Sequence, residues 1–445
     1  MNRFFATLGV LAALAYSESI WANGRFPAAG HVEVDPNDPE HIVLRATYGL
    51  VVTHDGGKHW NWVCEKALTY SGVWDPPIGI MNGGAMLVGL PDGLSISTAD
   101  ACLFTRAPAL EGQLVADVAV DKNNGARAVA LTSLPLGTSF DTRLYLTENN
   151  GSTFVQLGDV FPANFRGLTV DSSAADPKII YVSGVLEGAM PQGVVLRSDN
   201  GGSSYETYVV PNSDALHAPF LGAVDPENAD RVYLRLDGTP GRLFVSEDGG
   251  KTWTELYWGQ GALLGFSLAP DGKTLIVGGD QEGVWRSPVP NWAFEQTSAL
   301  HARCLRWANE GIYACAEPVL DGFSVGLSVT QGSTFKPLAK LSDLCGPVSC
   351  PIPICTSDWP LVRDTLGATS CVEGSSSSSA GAGGTGGAEG NPGQTPRTPE
   401  GCACRVERGG ERDQTWLVFL LGGLLRRRNS GVRRRAYLAR RSAIS

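Results

Sequence analysis

The sequence predicts an all-β protein, a seven-bladed β-propeller with a small Cys-rich C-terminal extension, and two observations carry the prediction. An octapeptide with the pattern Ser/Thr-x-Asp/Asn-x-Gly-x-Thr/Ser-aromatic starts at positions 53, 97, 147, 198, 246, 287 and 328. The starts are 41 to 51 residues apart, a period typical of four-stranded propeller blades. The 445 residues include 55 Gly and 27 Pro and are only 18% charged, which favours short strands joined by turns over helical bundles.

The N-terminal residues 1–22 are interpreted as a secretory signal peptide. Arg3 provides a positive charge, residues 4–15 are almost all apolar, and Ala22 is a small residue at which a signal peptidase can cut. The alternative is a buried first strand or helix. Export would place the mature protein in an oxidising compartment.

Residues 23–341 contain the seven predicted blades. In each unit an apolar strand ends in a turn, a second and a third strand follow, and the octapeptide leads into a fourth strand. In the octapeptide the Gly adopts a positive φ, the polar side chains bond the turn backbone, and the aromatic residue packs inward. The four clearest copies assign these structural roles to Asp55, Gly57, Trp60; Asn149, Gly151, Phe154; Asn200, Gly202, Tyr205; and Asp248, Gly250, Trp253.

The three other copies depart from the pattern. The copy at 328–335 has lost its acidic residue, and the copies at 97–104 and 287–294 are degenerate. The repeated octapeptide resembles the Asp-box, or BNR repeat, of sialidase-like and sortilin-like propellers. The resemblance implies the propeller fold, with the boxes on the outer part of the blades. It does not imply one function, because such propellers include glycosidases, receptors and assembly factors.

The cysteines predict disulfide bonds. Cys304 and Cys315 flank a predicted hairpin with Asn309-Glu310 at its tip, and that register pairs them. In the extension, residues 342–373, the sequence clusters four more cysteines, which are Cys345, Cys350, Cys355 and Cys371. Cys64 and Cys102 are left as a third bridge. The alternative for the cluster is a zinc site, which its irregular spacings and lack of a nearby His disfavour.

Beyond the extension, residues 374–400 are rich in Ser, Gly and Pro, a composition typical of a disordered linker. Residues 401–445 then contain Cys402, an apolar run at 416–425 and an arginine cluster. This order resembles the MYXO-CTERM sorting signal, which implies processing at Cys402 by a membrane protease and attachment to the cell surface. The alternative is a basic amphiphilic tail lying on an acidic membrane surface.

Candidate catalytic residues are few. Arg25, in Gly24-Arg25-Phe26-Pro27, resembles the Arg-Ile-Pro motif of sialidases, in which the arginine clamps a substrate carboxylate. Asp75 and Asp225 lie near predicted strand ends and are candidates for glycosidase carboxylates, although Asp-Pro is commonly a turn starter.

Metal and sugar sites have weaker support. The six His are scattered, and the octapeptide turn that His54 and His59 share is already occupied by hairpin bonding, so the sequence predicts no metal site and no cofactor. Trp60, Trp62 and Trp74 are candidates for sugar stacking, with packing between blades as the favoured alternative.

Net charge bears on the choice of partner. Residues after Cys404 carry a net charge of +8, which leaves −18 on residues 1–404. An acidic body lacks the dense basic patch that nucleic acid requires, so nucleic acid is excluded as a partner.

We expect an exported, surface-anchored or secreted propeller that binds an extracellular polysaccharide or protein without catalysis. Two alternatives remain open: a surface glycoside hydrolase, sialidase-like or endoglucanase-like, and an assembly factor with an exposed apolar patch.

Overall fold

The computed structural model describes residues 27–70, 74–350, 352–369 and 371, and it is an all-β seven-bladed propeller. The seven sheets follow one another in chain order. Within each blade the four strands are antiparallel neighbours in sequence order, from the inner strand at the axis to the outer strand at the periphery. The fold class therefore agrees with the period of the octapeptide. The helices are short and none of those described is long and apolar enough to cross a membrane.

The first four blades contain sixteen strands. Blade 1 consists of β1 (Ala29–Asp35), β2 (Asp38–Ala46), β3 (Gly49–His54) and β4 (Trp60–Cys64). Blade 2 consists of β5 (Ile78–Ile80), β6 (Met86–Leu90), β7 (Gly93–Ser97) and β8 (Phe104–Arg106). Blade 3 consists of β9 (Val115–Val120), β10 (Ala128–Leu136), β11 (Ser139–Thr147) and β12 (Val155–Leu157). Blade 4 consists of β13 (Phe165–Ser172), β14 (Ile180–Leu186), β15 (Gln192–Ser198) and β16 (Glu206–Val209).

The last three blades repeat the arrangement. Blade 5 consists of β17 (Pro219–Val224), β18 (Val232–Leu236), β19 (Arg242–Ser246) and β20 (Thr254–Trp258). Blade 6 consists of β21 (Leu263–Leu268), β22 (Thr274–Gly279), β23 (Gly283–Pro288) and β24 (Glu295–Ser298). Blade 7 consists of β25 (Ala302–Ala308), β26 (Gly311–Ala316), β27 (Val325–Ser328) and β28 (Lys336–Ala339), with helix α1 (Pro318–Asp321) between β26 and β27.

The second and third strands of each blade form the core. They read as apolar runs, such as Ile42–Leu44 and Leu50–Val52 in blade 1, because both faces of these strands are covered by the neighbouring blades. The outer strands are short, between 3 and 5 residues, which limits the unpaired edge that each blade exposes.

The octapeptide forms the turn between the third and fourth strands in all seven blades. In blade 5 the backbone N–H of Gly250 donates to Ser246 Oγ at 2.7 Å, and that of Thr252 donates to Asp248 Oδ1 at 2.8 Å. Gly250 has a φ of +96°, which an L side chain rarely adopts. In blade 7 the acidic residue is replaced by Thr330, whose Oγ1 accepts the N–H of Thr334 at 3.0 Å. A hydroxyl therefore takes over the role of the lost carboxylate.

The cysteine-rich extension packs on blade 1. Strand β29 (Leu344–Pro347) pairs in parallel with β4, so this sheet has five strands, and helix α2 (Pro353–Leu366) follows. The disulfides join Cys304 to Cys315, Cys345 to Cys371, Cys64 to Cys355 and Cys102 to Cys350. Cys304 and Cys315 are the pair that the hairpin register predicts, and they face each other across β25 and β26.

The predicted bridge between Cys64 and Cys102 is wrong. Cys64 lies in blade 1 and Cys102 in blade 2, and each bonds a cysteine of the extension instead. The four extension cysteines are thus not a self-contained cluster: one bridge is internal and two attach the extension to the propeller. The segments interpreted as signal peptide, linker and sorting signal, with Arg25 and Cys402, lie outside the described residues.

Candidate functional site

The seven inner strands surround the axis of the ring, and the channel between them is the candidate functional site. Six of these strands contain a register shift against the second strand of their blade, and such bulges re-aim side chains. The bulged residues are Gly30, Ala116, Leu168, Gly222, Leu264 and Arg303. Most of them are partly buried, whereas the second strands behind them are largely buried.

A second repeated turn closes the inner strand at one end of the channel. Asp35, Asp121 and Asp225 occupy the same position, and Oδ1 of each accepts backbone N–H groups of the turn that follows. Asp225 is 2% exposed, and its Oδ2 lies 3.2 Å from Arg231 Nη1. Asp121 pairs in the same way with Arg127 at 3.1 Å. The candidate Asp225 therefore holds a turn, and the other candidate, Asp75, is an exposed residue on the segment that leads into blade 2.

The carboxylates on the inner strands tie adjacent blades together. Asp117 of blade 3 accepts the N–H of Val118 at Oδ1 and that of Val170, in blade 4, at Oδ2, both at 2.9 Å. Asp171 of blade 4 accepts the N–H of Val224, in blade 5, at 3.1 Å. Burial raises the pKa of Asp117 to about 7, against the effect of these two hydrogen bonds. Both oxygens of Asp117 are therefore engaged in structural bonds.

Glu33 occupies the blade 1 side of the channel and is neutralised there. Its Oε2 lies 2.9 Å from Arg306 of blade 7, and its Oε1 lies 3.0 Å from His31 Nε2. Burial alone would raise the pKa of Glu33, but the charge of Arg306 and the bond from His31 lower it overall. This pair also crosses the boundary between the last and the first blade.

Two arginines beside the channel have no carboxylate within ion-pair distance among the residues that the structure covers. Arg45 and Arg235 lie on the second strands of blades 1 and 5, each ten residues after the turn aspartate of its blade. Arg45 donates to the backbone oxygens of Gly30 at 3.2 Å and Pro76 at 3.4 Å. Arg235 contacts the ring of Phe220 on the inner strand, with 5.0 Å from Cζ to the ring centroid. Burial lowers the pKa of both guanidinium groups.

The channel wall next to Arg235 is apolar. Phe220 lies on β17, and Phe266 on β21 lies against Gly222, where an added Cβ would come within 2.7 Å of its ring. Tyr233, the neighbour of Ala223 in the pairing of β17 with β18, packs on Phe266 with 5.6 Å between ring centroids. The inner strands of blades 1, 3, 4 and 7 therefore carry charged groups, whereas those of blades 5 and 6 carry the aromatic residues Phe220 and Phe266, with Arg235 beside Phe220.

The octapeptide residues lie at the periphery, away from the channel. Trp60 is buried and its Nε1 donates to the backbone oxygen of Gly57 at 3.0 Å. Trp62 and Trp74 also donate to backbone oxygens, of Tyr48 at 2.8 Å and of Gly89 at 2.9 Å. The indole rings of Trp60 and Trp62 are thus packed and are not open to stack on a sugar.

The two histidines of the blade 1 turn have structural contacts. His59 Nδ1 lies 2.6 Å from Asp55 Oδ2, and His54 stacks on His41 with 4.5 Å between centroids. Within the residues that could be searched, no group of three or more His, Cys, Asp and Glu side chains is placed to hold a metal ion.

Sequence reasoning missed the exposed apolar side chains at one end of the propeller. Met190, Leu216 and Trp258 are 85%, 78% and 61% exposed, and they lie in or beside loops of blades 4 and 5 at the end where the inner strands begin. Arg242 lies over the Trp258 ring, 4.8 Å from its centroid. No motif marks these positions, because loop residues of a repeat protein follow no period.

Comparison with known proteins identifies no family: no protein-family model matches the chain, and no curated protein matches it. Among solved structures, an ancestral GH74 enzyme matches at 15% identity with a TM-score of 0.49, covering 70% of this chain and 48% of that chain. The chain thus spans about half the length of that enzyme.

Two further matches are structures of YCF48. The protein from Cyanidioschyzon merolae matches at 14% identity with a TM-score of 0.43, over 65% of this chain and 92% of that chain. YCF48 bound to D1 peptide matches at 14% identity with a TM-score of 0.37, over 59% and 73%. The structural neighbours thus include enzymes and a peptide-bound propeller, and at such identities the likeness concerns the propeller fold alone.

Proposed function

We propose that this protein is an exported β-propeller that binds an extracellular polysaccharide or protein without catalysis. The observation that carries the proposal is the division of charges in the channel. The acids Glu33, Asp117 and Asp171 are engaged in ion pairs or backbone bonds, whereas Arg45 and Arg235 have no carboxylate partner within the described part of the chain. A channel that presents cations and an apolar wall can hold a ligand, and pockets of this kind fix orientation with few polar groups.

A glycosidase needs more than such a channel provides. Hydrolysis of a glycosidic bond requires two carboxyl groups that face the bond, one as acid and one as base or nucleophile. Each channel carboxylate described above already accepts backbone N–H groups or pairs with a cation, so none forms a facing, unengaged pair. This arrangement supports a binding role.

The rival role, a surface glycoside hydrolase, has one observation in its favour. The pKa of Asp117 is raised to about 7, the range that a general acid needs at neutral pH. The rival therefore assigns Asp117 as the acid, with Arg45 nearby in charge contact. The proposed binding role assigns Asp117 to the tie between blades 3 and 4.

A protein ligand, rather than a polysaccharide, is favoured by a different surface. The exposed side chains of Met190, Leu216 and Trp258 lie at one end of neighbouring blades, and exposed apolar groups of this size commonly mark protein-binding sites. This is the observation in favour of the assembly-factor alternative.

Export and surface attachment are part of the proposal. The eight cysteines of the described chain form four disulfides, which persist in oxidising compartments. Residues 1–22 would act as the signal peptide, and residues 401–445 as a MYXO-CTERM-like signal cut at Cys402 by a membrane protease. The octapeptides would make the chain a member of the Asp-box propellers.

Mass spectrometry of the protein from its host tests the proposed cleavage at both ends. Loss of the residues before Asn23 and after Cys402 is expected, and an intact C-terminal tail contradicts the proposed sorting signal.

The binding role is tested with the full-length protein and a panel of polysaccharides and extracellular proteins. We expect retention of at least one ligand with no release of reducing ends. Release of reducing ends that is abolished in Asp117→Asn, with the fold retained, would establish the glycoside hydrolase instead. A Met190→Ser, Leu216→Ser double variant serves as the control for the loop surface: loss of a protein ligand in this variant alone would place binding on the loops.

A further inference from the structure

The guanidinium of Arg235 is a partly buried charge beside the channel that the described protein leaves without an ionic partner. Its Cζ lies 5.0 Å from the centroid of the Phe220 ring, and the charged group that acts on its pKa is the exposed Asp237, two residues along the chain. Removing a charge from water is unfavourable unless the charge is paired, and a ring face compensates only part of that cost. The position therefore calls for an anion that the described chain does not supply.

The other arginines of blade 5 show that pairing is the rule there. Arg231, four residues earlier on the chain, contacts both Asp225 at 3.2 Å and Glu247 at 2.8 Å. Arg242 contacts Glu255 at 3.7 Å and covers Trp258. Arg235 lies between these two on the chain, on the second strand of the blade, and it alone of the three has no carboxylate within ion-pair distance. Among the arginines of blade 5, the absence of an ion pair is thus specific to Arg235.

The planar guanidinium of Arg235 beside the Phe220 ring favours a ligand that carries a carboxylate. A guanidinium donates along its planar edges and binds a carboxylate through two parallel hydrogen bonds. Phe220 occupies one side of the Arg235 group, and Phe220 and Phe266 continue the apolar wall along blades 5 and 6. A ligand that presents a carboxylate next to a face of C–H groups would satisfy both features.

The acidity of the protein limits the number of charges on the ligand. Residues 1–404 carry a net charge of −18. A polyanion, such as an acidic peptide with many carboxylates, would be repelled before it reached Arg235. A small ligand with one carboxylate avoids most of this repulsion.

We infer that Arg235 and Phe220 form a binding site for a small carboxylate on a sugar ring, an acidic monosaccharide of the uronic acid class. The inference deepens the proposed binding function and rests on it. Arg235 binds the carboxylate, Phe220 contacts the C–H face of the ring, and the net negative charge of the protein disfavours ligands with more negative charge.

Calorimetry with D-glucuronate as the probe tests the site in the full-length protein. We expect glucuronate to bind and glucose, its neutral counterpart, to bind at least tenfold more weakly. Arg235→Gln should lose at least tenfold in glucuronate affinity, and Arg235→Lys should retain part of it, because lysine keeps the charge and loses the two-point contact. Arg242→Gln is the matched control, an arginine of the same blade that is already paired, and should bind like the parent protein. Thermal unfolding verifies the fold of each variant.

The outcomes separate this inference from the function on which it rests. Equal affinity for glucose and glucuronate, or an unchanged affinity in Arg235→Gln, overturns the carboxylate site. Tight binding of inorganic phosphate or of an acidic peptide that is lost in Arg235→Gln overturns the ligand class. If a polysaccharide or protein from the panel is retained by the Arg235→Gln variant as by the parent, the binding function stands while the uronate site fails. If reducing ends are released, the binding function fails whatever the glucuronate affinity.

Discussion

Cys64, the last residue of the outer strand of blade 1, is bonded to Cys355 on helix α2, 291 residues later in the chain. A second bridge joins Cys102 of blade 2 to Cys350, only five residues before Cys355. The extension is therefore attached to two adjacent blades at nearly the same point. These two bridges do not act independently, since each one shortens the loop that the other closes.

The first prediction concerns this pair of bridges. With the Cys102–Cys350 bridge in place, the Cys64–Cys355 bridge closes a loop of about 45 residues, so its removal in the Cys64→Ser, Cys355→Ser variant should lower the free energy of unfolding by about 4 kcal/mol on the loop-entropy relation. Removing both should cost about 1.5 kcal/mol more than twice that loss, because the second bridge then closes a far longer loop. Chemical unfolding of the two double variants and the quadruple variant measures the difference.

The bridge between Cys304 and Cys315 supplies the control, since its loop of 11 residues is confined to one hairpin. The loss of unfolding free energy on its removal should simply add to the loss on removal of Cys64–Cys355 or of Cys102–Cys350. If the losses for Cys64–Cys355 and Cys102–Cys350 are also strictly additive, the extension is held mainly by packing.

The second prediction concerns the octapeptide turn. Asp248→Ala removes the acceptor of the Thr252 N–H and hydroxyl, at 2.8 and 2.7 Å, and should lower the free energy of unfolding by about 1–3 kcal/mol. Asp199→Ala is the matched control, because Asp199 is an exposed residue of the same turn in blade 4 and should change stability by about 0.5 kcal/mol or less. Equal losses in the two variants would contradict the structural role assigned to the third position.

The third prediction separates stability from binding at Asp225. Asp225→Asn keeps the acceptor for the N–H groups of Glu227 and Asn228 and loses the ion pair with Arg231. We expect a loss of about 1–3 kcal/mol in unfolding free energy and an unchanged ligand affinity of the folded variant. Asp121→Asn in blade 3, which breaks the same pair with Arg127, should behave alike. Loss of ligand binding in Asp225→Asn but not in Asp121→Asn would instead assign Asp225 a role in ligand binding.

The fourth prediction is a pH dependence. The pKa of Asp117 is raised to about 7 in the folded protein, from an ordinary value near 3.8 in the unfolded chain. Between these values the folded state binds more protons than the unfolded state, so the contribution of Asp117 to stability falls as pH rises from about 4 to 7. Asp117→Asn should remove that slope. Unfolding midpoints measured across this range check it, and an equal slope in the two proteins would rule Asp117 out as its source.

The blades could be predicted from the sequence because the octapeptide is local. Its turn is built from residues within eight positions of one another, as the bonds of Gly250 and Thr252 to Ser246 and Asp248 show. The pairing of Cys304 with Cys315 was predictable for the same reason, since one hairpin sets its register.

The extension and the candidate site could not be predicted. Cys64 bonds a residue 291 positions away, and the connectivity of several cysteines does not follow from spacing. The prediction that Cys64 pairs with Cys102 was wrong because it assumed that the extension cysteines bond one another. Arg235 carries no motif, and whether a guanidinium has a partner depends on neighbours from other strands. In retrospect, Arg45 and Arg235 each lie ten residues after a turn aspartate, which is the one sequence signal of their common position.

The four blade strands of blade 1, β1 to β4, are consecutive in the chain, and so are those of blade 7, β25 to β28; only β29 of the extension is added to the blade 1 sheet, at its outer edge. All four strands of a blade are therefore present once that stretch of the chain has been synthesised. The contacts that fasten the first blade, through Cys355, become possible only after all seven blades have been synthesised. The Cys64–Cys355 bridge can therefore form only in a chain that already contains the residues of all seven blades, and a chain that ends before residue 355 has the seven blades without this bridge.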